Sequence, residues 1–471
     1  MSYINIEIEK NIFKYLITLL ISIMLFFLLS GVIYSDNISP EQSDPETTHS
    51  GSGGRINGLA ISANSEVAFA ASEFGGLFKS YDKGLSWTHV DSHVPVATWD
   101  VEVSPVDPNK IYATSFYDGK TNPLSGISVS ADGGETWINP PGSRPTSDFC
   151  PTMREIIEYT NSDGEYIVNT YTWGEENFAA MGISINPNNP DEVYVGTWCG
   201  LAITEDAGET WQYVDPAAEY VASVNRWAVP FRGLLANLTQ PAPIWDVVVH
   251  DNGIVDVCGV EGHYRKKPGL GWNTTLQPNL GLPGGRCSIT VSPHEKNVLF
   301  ATAGTKLYTS LDGGMIWKQM TNMPEDNKQG RIPFVETNEI SQDTYDLWYG
   351  DVQLFSRFCK TPVGSDPDYD FMKTKFRCSD AWGTAEEYLS GEKVADWVNQ
   401  QEGAHWDVGA ILFEPSSSIG ACPLLFSNDG GVYYNATPPL LDCHNPTWKE
   451  PTITPNALWI MAMSGFKNPG D

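Results

Sequence analysis

Downstream of Arg55 the chain consists of short stretches in which apolar and polar residues alternate, separated by turns rich in Pro, Asn, Asp and Gly. WDVEVSPVDPNKIYATS from Trp99, MGISINPNNPDEVYVGT from Met181 and CSITVSPHEKNVLFATA from Cys287 follow one plan: an alternating run, a polar turn, then a second β-rich run. A period of two puts every other side chain on one face, so each run predicts a strand. A second phrase closes most units: SYDKGLSW at 80–87, SADGGETW at 130–137, TEDAGETW at 204–211, SLDGGMIW at 310–317 and SNDGGVYY at 427–434. The unit is therefore strand, turn, strand, loop, strand, tight turn, strand, recurring every 45 to 75 residues. Such a sheet buries its faces only against neighbouring copies, so the expected fold class is all-β, a β-propeller.

Two further units complete the count. Ile244 to Trp272 keeps Gly269 and Trp272 but has Arg265 and Lys267 where Ser and Asp are due, and RIPFVETNEISQDTYDLWYGDVQLFSRF from Arg331 lacks the tight turn altogether. About seven four-stranded blades are expected over residues 55–450. PNALWIMAMSGFKNPGD, within 451–471, reads as the first strand of one more blade, so C-terminal truncation is expected.

In the closing phrase, Ser and Asp oxygens can accept turn N–H groups, and Gly supplies the positive φ that tightens the turn. Asp82, Asp132, Asp206, Asp312 and Asp429 are thus expected to be structural. Trp87, Trp137, Trp211 and Trp317 should pack beneath their turns, each contributing at most about 4 to 6 kcal/mol through buried indole area.

On these residues the chain resembles the Asp-box, or BNR-repeat, superfamily of propellers, which includes sialidase-type, xyloglucanase-type, sortilin-type and photosystem-assembly members. The resemblance covers roughly residues 55–450 and implies an architecture, not one activity. It implies that box turns join third and fourth strands on one face, while ligands bind on the other. That other face is built from connections between blades and from loops between second and third strands. The long connections 138–180, 212–243 and 361–404, with the loop FYDGKTNPLSG from Phe116, are expected there.

The tripeptide Trp-Asp-Val recurs at Trp99, Trp245 and Trp406, each time at the start of a first strand. One reading is packing, with Trp wedged between blades and Asp capping a loop. The other brings Asp100, Asp246 and Asp407 to the mouth of a central channel with His405 and Arg286, as acid and base or as a cation site. Trp99, Trp245, His405, Trp406, Arg286 and Arg331 are the candidate ligand-binding residues. Arg331-Ile332-Pro333 resembles the sialidase motif for a carboxylate-binding arginine, but it follows four box turns instead of preceding them. Asp366, Asp368 and Asp370 alternate as in a calcium loop, yet Phe371 and Arg377 occupy the positions that need Gly and Glu. No metal or other cofactor is expected.

Charge and export narrow the partners. With 28 Lys plus Arg against 58 Asp plus Glu, the net charge of −30 excludes nucleic acid and disfavours anionic lipid. Lys10 and Lys14 precede an apolar run, Tyr15 to Tyr34, that reads either as a signal peptide or as an N-terminal membrane anchor (1–35). A polar linker, 36–54, follows. Either reading places the bulk of a monomeric chain outside the cytoplasm, secreted or anchored. Eight cysteines fit an oxidising compartment. On the blade plan they pair as Cys150–Cys199, Cys258–Cys287, Cys359–Cys378 and Cys422–Cys443. Two functions remain open: a binding or assembly module displaying its loop face to a glycan or protein, or a glycoside hydrolase on the same scaffold.

Overall fold

The computed structural model describes residues 55–116, 125–151, 153–160, 166–173, 178–216, 241–259, 262–273, 286–320, 333–341, 344–360, 398–400, 407–414, 422–436 and 446–449. All lie in the unit Gly51–Asp471. The alternating runs form six four-stranded sheets and one three-stranded sheet, each with its strands ordered as in the chain, which makes seven propeller blades. Blade 2 lacks a full fourth strand, and Ile138 bridges to Val129 in its place. A separate hairpin, Met153–Thr160 with Tyr166–Trp173, follows blade 2.

First strands surround a central channel: Ile56–Ile61, Thr98–Val103, Ala180–Ile185, Ile244–Val249, Ile289–Val291, Phe334–Ser341 and Ala410–Phe413. Second strands read AFAAS, IYATS, VYVGT, VDVCG and LFATA in the first five blades, and every residue in them is buried. Continuous small and β-branched residues suit a strand covered on both faces by neighbouring sheets.

An apolar cluster fills each joint. Phe69 and Leu77 of blade 1 meet Val101 and Ile111 of blade 2, and comparable sets follow around the ring. At the last joint, Leu425 and Val432 of blade 7 pack against Ile56, Phe78 and Trp87 of blade 1. Ser427 Oγ donates to the Ile56 carbonyl at 3.0 Å, and the Arg55 guanidinium donates to the Val408 carbonyl. Seven blades thus close the ring, and the further blade expected to begin within 451–471 falls outside the described residues. Among the described residues, no blade borrows a strand from another.

Four of the tight turns share one hydrogen-bond pattern. In the first, Ser80 Oγ donates to Asp82 Oδ1 and accepts the Gly84 N–H, both at 2.8 Å, while Asp82 accepts the Ser86 N–H at 2.8 Å. Trp87 Nε1 donates to the Gly84 carbonyl at 3.1 Å. The pattern of hydroxyl and Asp repeats at Ser130 and Asp132, Thr204 and Asp206, and Ser310 and Asp312. Bonds from Thr136 and Thr210 hold Asp132 and Asp206 down at about 2, as ionised acceptors. Trp87, Trp211 and Trp317 are buried and Trp137 is partly so.

The fifth phrase is different. Asn428 pairs with Gly431, so Asp429 and Gly430 form a two-residue turn between the second and third strands of blade 7. Asp-Gly is itself a strong hairpin signal, and aligning on Tyr434 disguised it as a box. Asp429 is therefore not a member of the repeating turn. Ser427 is committed to the Ile56 carbonyl instead.

The connections are also redistributed. The described ends of 138–180 and 212–243, at a blade's last strand and the next blade's first, lie on the face opposite the tight turns, as expected. Residues 361–397, however, leave from the third strand of blade 6, Leu354–Lys360, and return at its fourth, Val398–Asn399. Their attachment points are thus on the face of the tight turns. In blade 4, Arg265 replaces the box serine because a different network holds that edge. Asp256 accepts Arg265 Nε and Nη2 at 2.8 Å and lies 2.6 Å from His250 Nε2 and 2.7 Å from His263 Nε2. Burial would raise the Asp256 pKa, but these partners hold it far below the ordinary value. Arg265 also reaches Asn297 of blade 5 at 3.1 Å.

Candidate functional site

The first strands enclose a cavity of about 300 Å³. Asp100, Glu102, Asp246 and Glu336 line it, together with Asn57, Ser288 and Thr290. Burial away from bulk water disfavours the carboxylate form. Asp100 is pushed up to about 7 by burial and by Asp246, Asp246 to about 6 by burial, and Glu336 to about 8 by burial, Asp246 and Asp100. Glu102 is raised well above the ordinary value by burial, Asp100 and Glu336. Among the described residues, no group of three His, Cys, Asp or Glu is placed to hold a metal ion.

Asp100 and Asp246 occupy equivalent positions. Asp100 Oδ2 accepts the Ile183 N–H of blade 3 at 3.0 Å and its Oδ1 accepts the Val101 N–H at 2.9 Å. Asp246 Oδ2 accepts the Ile289 N–H of blade 5 at 2.9 Å and its Oδ1 accepts the Val247 N–H at 2.8 Å. On the other side each meets a glycine of the preceding blade. A Cβ on Gly58 would lie 2.6 Å from Asp100 Oδ1, and one on Gly182 would lie 2.5 Å from Asp246 Oδ1. The two aspartates are interblade clips, each seated on a glycine and gripping the next strand's backbone.

Asp407 does not join them. Its backbone turns to a φ of 61° and its N–H donates to the Val352 carbonyl at 2.8 Å. It is not part of the channel lining, to which blade 7 contributes Gly409, Ala410 and Ile411. His405, Trp406 and Arg331 lie outside the described residues, as do Cys378 and Cys443.

Above the acids, on the face opposite the tight turns, aromatic side chains form an arc. Phe74 meets Phe116 edge-on at 6.5 Å, Phe116 meets Trp99 at 6.1 Å, and Trp99 meets Trp245 at 5.7 Å between ring centres. Trp198 lies 5.6 Å from Trp245, and the Arg286 guanidinium sits 5.0 Å from the centre of the Trp245 ring. Five blades contribute: Phe74 and Trp198 come from turns between second and third strands, Trp99 and Trp245 from the starts of first strands. Trp99, Trp245 and Arg286 are thus brought together, joined by Trp198, Phe116 and Phe74, which carry no repeated motif. Glu102 was legible as the residue two beyond Asp100, on the same strand face; Glu336 was not, lying in the unit without a tight turn.

Two bridges lie beside this arc, Cys150–Cys199 and Cys258–Cys287. Cys359 and Cys422 are also disulfide-bonded, and no described cysteine is free. Such a set fits an oxidising, extracellular setting.

No protein-family model matches this chain, and no curated protein does. Among solved structures, an ancestral GH74 enzyme superposes with a TM-score of 0.54 at 15% identity, over 84% of this chain and 46% of its own. The GH74 xyloglucanase from Xanthomonas campestris gives 0.48 at 13% identity, over 84% and 54%, and YCF48 from Cyanidioschyzon merolae gives 0.36 at 13%, over 75% and 84%. The chain spans about half the length of these two GH74 structures. At such identity the likeness to the ancestral GH74 enzyme is one of fold alone.

Proposed function

We propose that this chain is an extracellular propeller that binds a neutral glycan across the mouth of its central channel. The observation that carries this reading is the aromatic arc, in which exposed Phe74 and half-buried Trp99 and Trp198 stand around a buried Trp245 that backs them. Aromatic faces pack against the apolar C–H faces of sugar rings, and a few placed polar groups then fix orientation. A chain of net charge −30 disfavours anionic glycans, leaving neutral ones. The test is affinity electrophoresis of the purified protein through gels containing neutral polysaccharides. Retardation should fall about tenfold in Trp198→Ala, with the melting temperature unchanged. Equal retardation of wild type and variant, or binding only to a protein ligand, would overturn the proposal.

A second reading, glycoside hydrolysis, draws on the raised proton affinity of Asp100, since a general acid must be protonated near neutral pH. The GH74 enzymes among the structural neighbours share its fold. Weighing against it, Asp100 and Asp246 have their oxygens committed to backbone N–H groups between blades. Release of reducing ends by wild type but not by Asp100→Asn would favour hydrolysis over binding alone.

A further inference from the structure

We infer that the Cys258–Cys287 disulfide is a redox-responsive latch on the aromatic arc, a step that rests on the reading of that arc as a ligand platform. Trp245 is flanked by Trp198 on one side and Arg286 on the other. Each flanking residue immediately precedes a bridged cysteine, Cys199 and Cys287. The platform's two flanks are therefore pinned covalently.

The two bridges differ in their surroundings. Cys150 and Cys199 are both fully buried, and Cys199 sits in the tight turn Thr197–Gly200, where Thr197 Oγ1 accepts its N–H at 3.1 Å. Cys258 is also fully buried, but Cys287 is only partly covered and lines the channel cavity. The channel cavity thus offers an approach to Cys287, whereas packed protein shields Cys150–Cys199. Access is one of the terms that set the rate of thiol–disulfide exchange.

Opening this bridge leaves its joint standing. Cys258 lies directly across from Asp246 in blade 4, and Asp246 independently grips the Ile289 N–H of blade 5. Ser288 is anchored to Thr302 on both sides, its N–H donating to Oγ1 at 2.8 Å and its carbonyl accepting the Thr302 N–H at 2.9 Å. Cys258 and Cys287 pack in the joint's apolar cluster, but Ile289, Leu299, Tyr308 and Trp317 make up most of it. Arg286 lies upstream of these anchors, and its carbonyl accepts the Gly304 N–H at a long 3.4 Å. Without the bridge, the Arg286 segment loses its covalent hold while the blade stays folded.

The chemistry balances with a small dithiol as reductant. Its thiolate attacks Cys287 Sγ, forming a mixed disulfide and expelling the Cys258 thiolate, which takes up a proton. The reductant's second thiolate then displaces Cys287, which is protonated in turn, and the reductant leaves as a cyclic disulfide. Two electrons and two protons pass to the protein.

The experiment treats the full chain with graded dithiothreitol, followed by differential alkylation and peptide mapping, hydrogen exchange, and affinity electrophoresis in hydroxyethylcellulose. Cys258 and Cys287 should be alkylated at reductant concentrations that leave Cys150 and Cys199 intact. In that state hydrogen exchange at Gly304 should accelerate at least tenfold while Ile289–Val291 stays protected, and retardation should fall at least fivefold, returning on reoxidation. A Cys258→Ser, Cys287→Ser double variant should match the reduced protein and ignore the dithiol. The latch is refuted if Cys150–Cys199 opens first, or if exchange at Gly304 is unchanged in the reduced protein and the double variant. If neither wild type nor Trp198→Ala is retarded, the binding reading fails, and alkylation order with hydrogen exchange still decides the latch.

Discussion

Replacing Glu336 by Gln keeps the shape and polarity of the channel wall while removing one of its four carboxyls. Glu336 rises from an ordinary 4.5 to about 8, through burial and the charges of Asp246 and Asp100. A carboxyl raised in the folded state favours folding fully below its unfolded pKa. The benefit is lost as pH rises, because the unfolded chain ionises from pH 4.5 while the folded chain holds its proton until about 8. At about 1.4 kcal/mol per pKa unit, ionising the site costs on the order of 5 kcal/mol at pH 9. Water in the channel screens part of that, so about 2 to 4 kcal/mol is expected. Denaturant unfolding of wild type and Glu336→Gln at pH 5 and pH 9 measures it. The variant should lie within about 1 kcal/mol of wild type at pH 5 and gain the stated amount at pH 9. An equal shift at both pH values, or a loss at pH 9, would refute the claim that the channel acids share an ionisation penalty.

Other outcomes follow from equally local features. Gly182→Ala should cost about 1 to 3 kcal/mol by overpacking, since its Cβ would lie 2.5 Å from Asp246 Oδ1; an unchanged unfolding midpoint would contradict the clip. His93, buried against Trp137 at 4.8 Å, has its pKa lowered from 6.5 to about 3 by burial, so it weakens the fold as pH falls from 6.5 toward 3. His93→Phe should flatten stability over that window, read by acid titration of tryptophan fluorescence. Asp256→Ala should cost about 3 to 5 kcal/mol, because it leaves Arg265 buried beside His250 and His263 without its counter-charge; calorimetry checks this.

What the sequence disclosed followed the range of the interactions involved. The Ser80 to Trp87 turn is legible because its bonds close within a few residues. The same locality misled at Asp429, where a two-residue Asp-Gly turn carries similar letters. The attachment points of 361–397 are not legible because the strand that receives the chain, Val398–Asn399, is too short to show a period. The clip role of Asp100 could not be separated from chemistry, since its partners, Gly58 and Ile183, lie on two other blades. Asp407 shares the tripeptide without sharing the place: its backbone is left-handed and its N–H donates to the Val352 carbonyl. Trp198 and Phe116 stand in turns, where no repeat marks them.

Closure without strand exchange also bears on the order in which the molecule can be made. Each blade's strands are contiguous in the chain, so a ribosome finishes a sheet's hydrogen bonding before starting the next one. Blade 1 is the exception in its packing. Ile56, Leu59, Phe78 and Trp87 wait through the synthesis of six more blades for Leu425 and Val432 to cover them. During that interval blade 1 keeps an apolar face uncovered, a surface on which a chaperone would act.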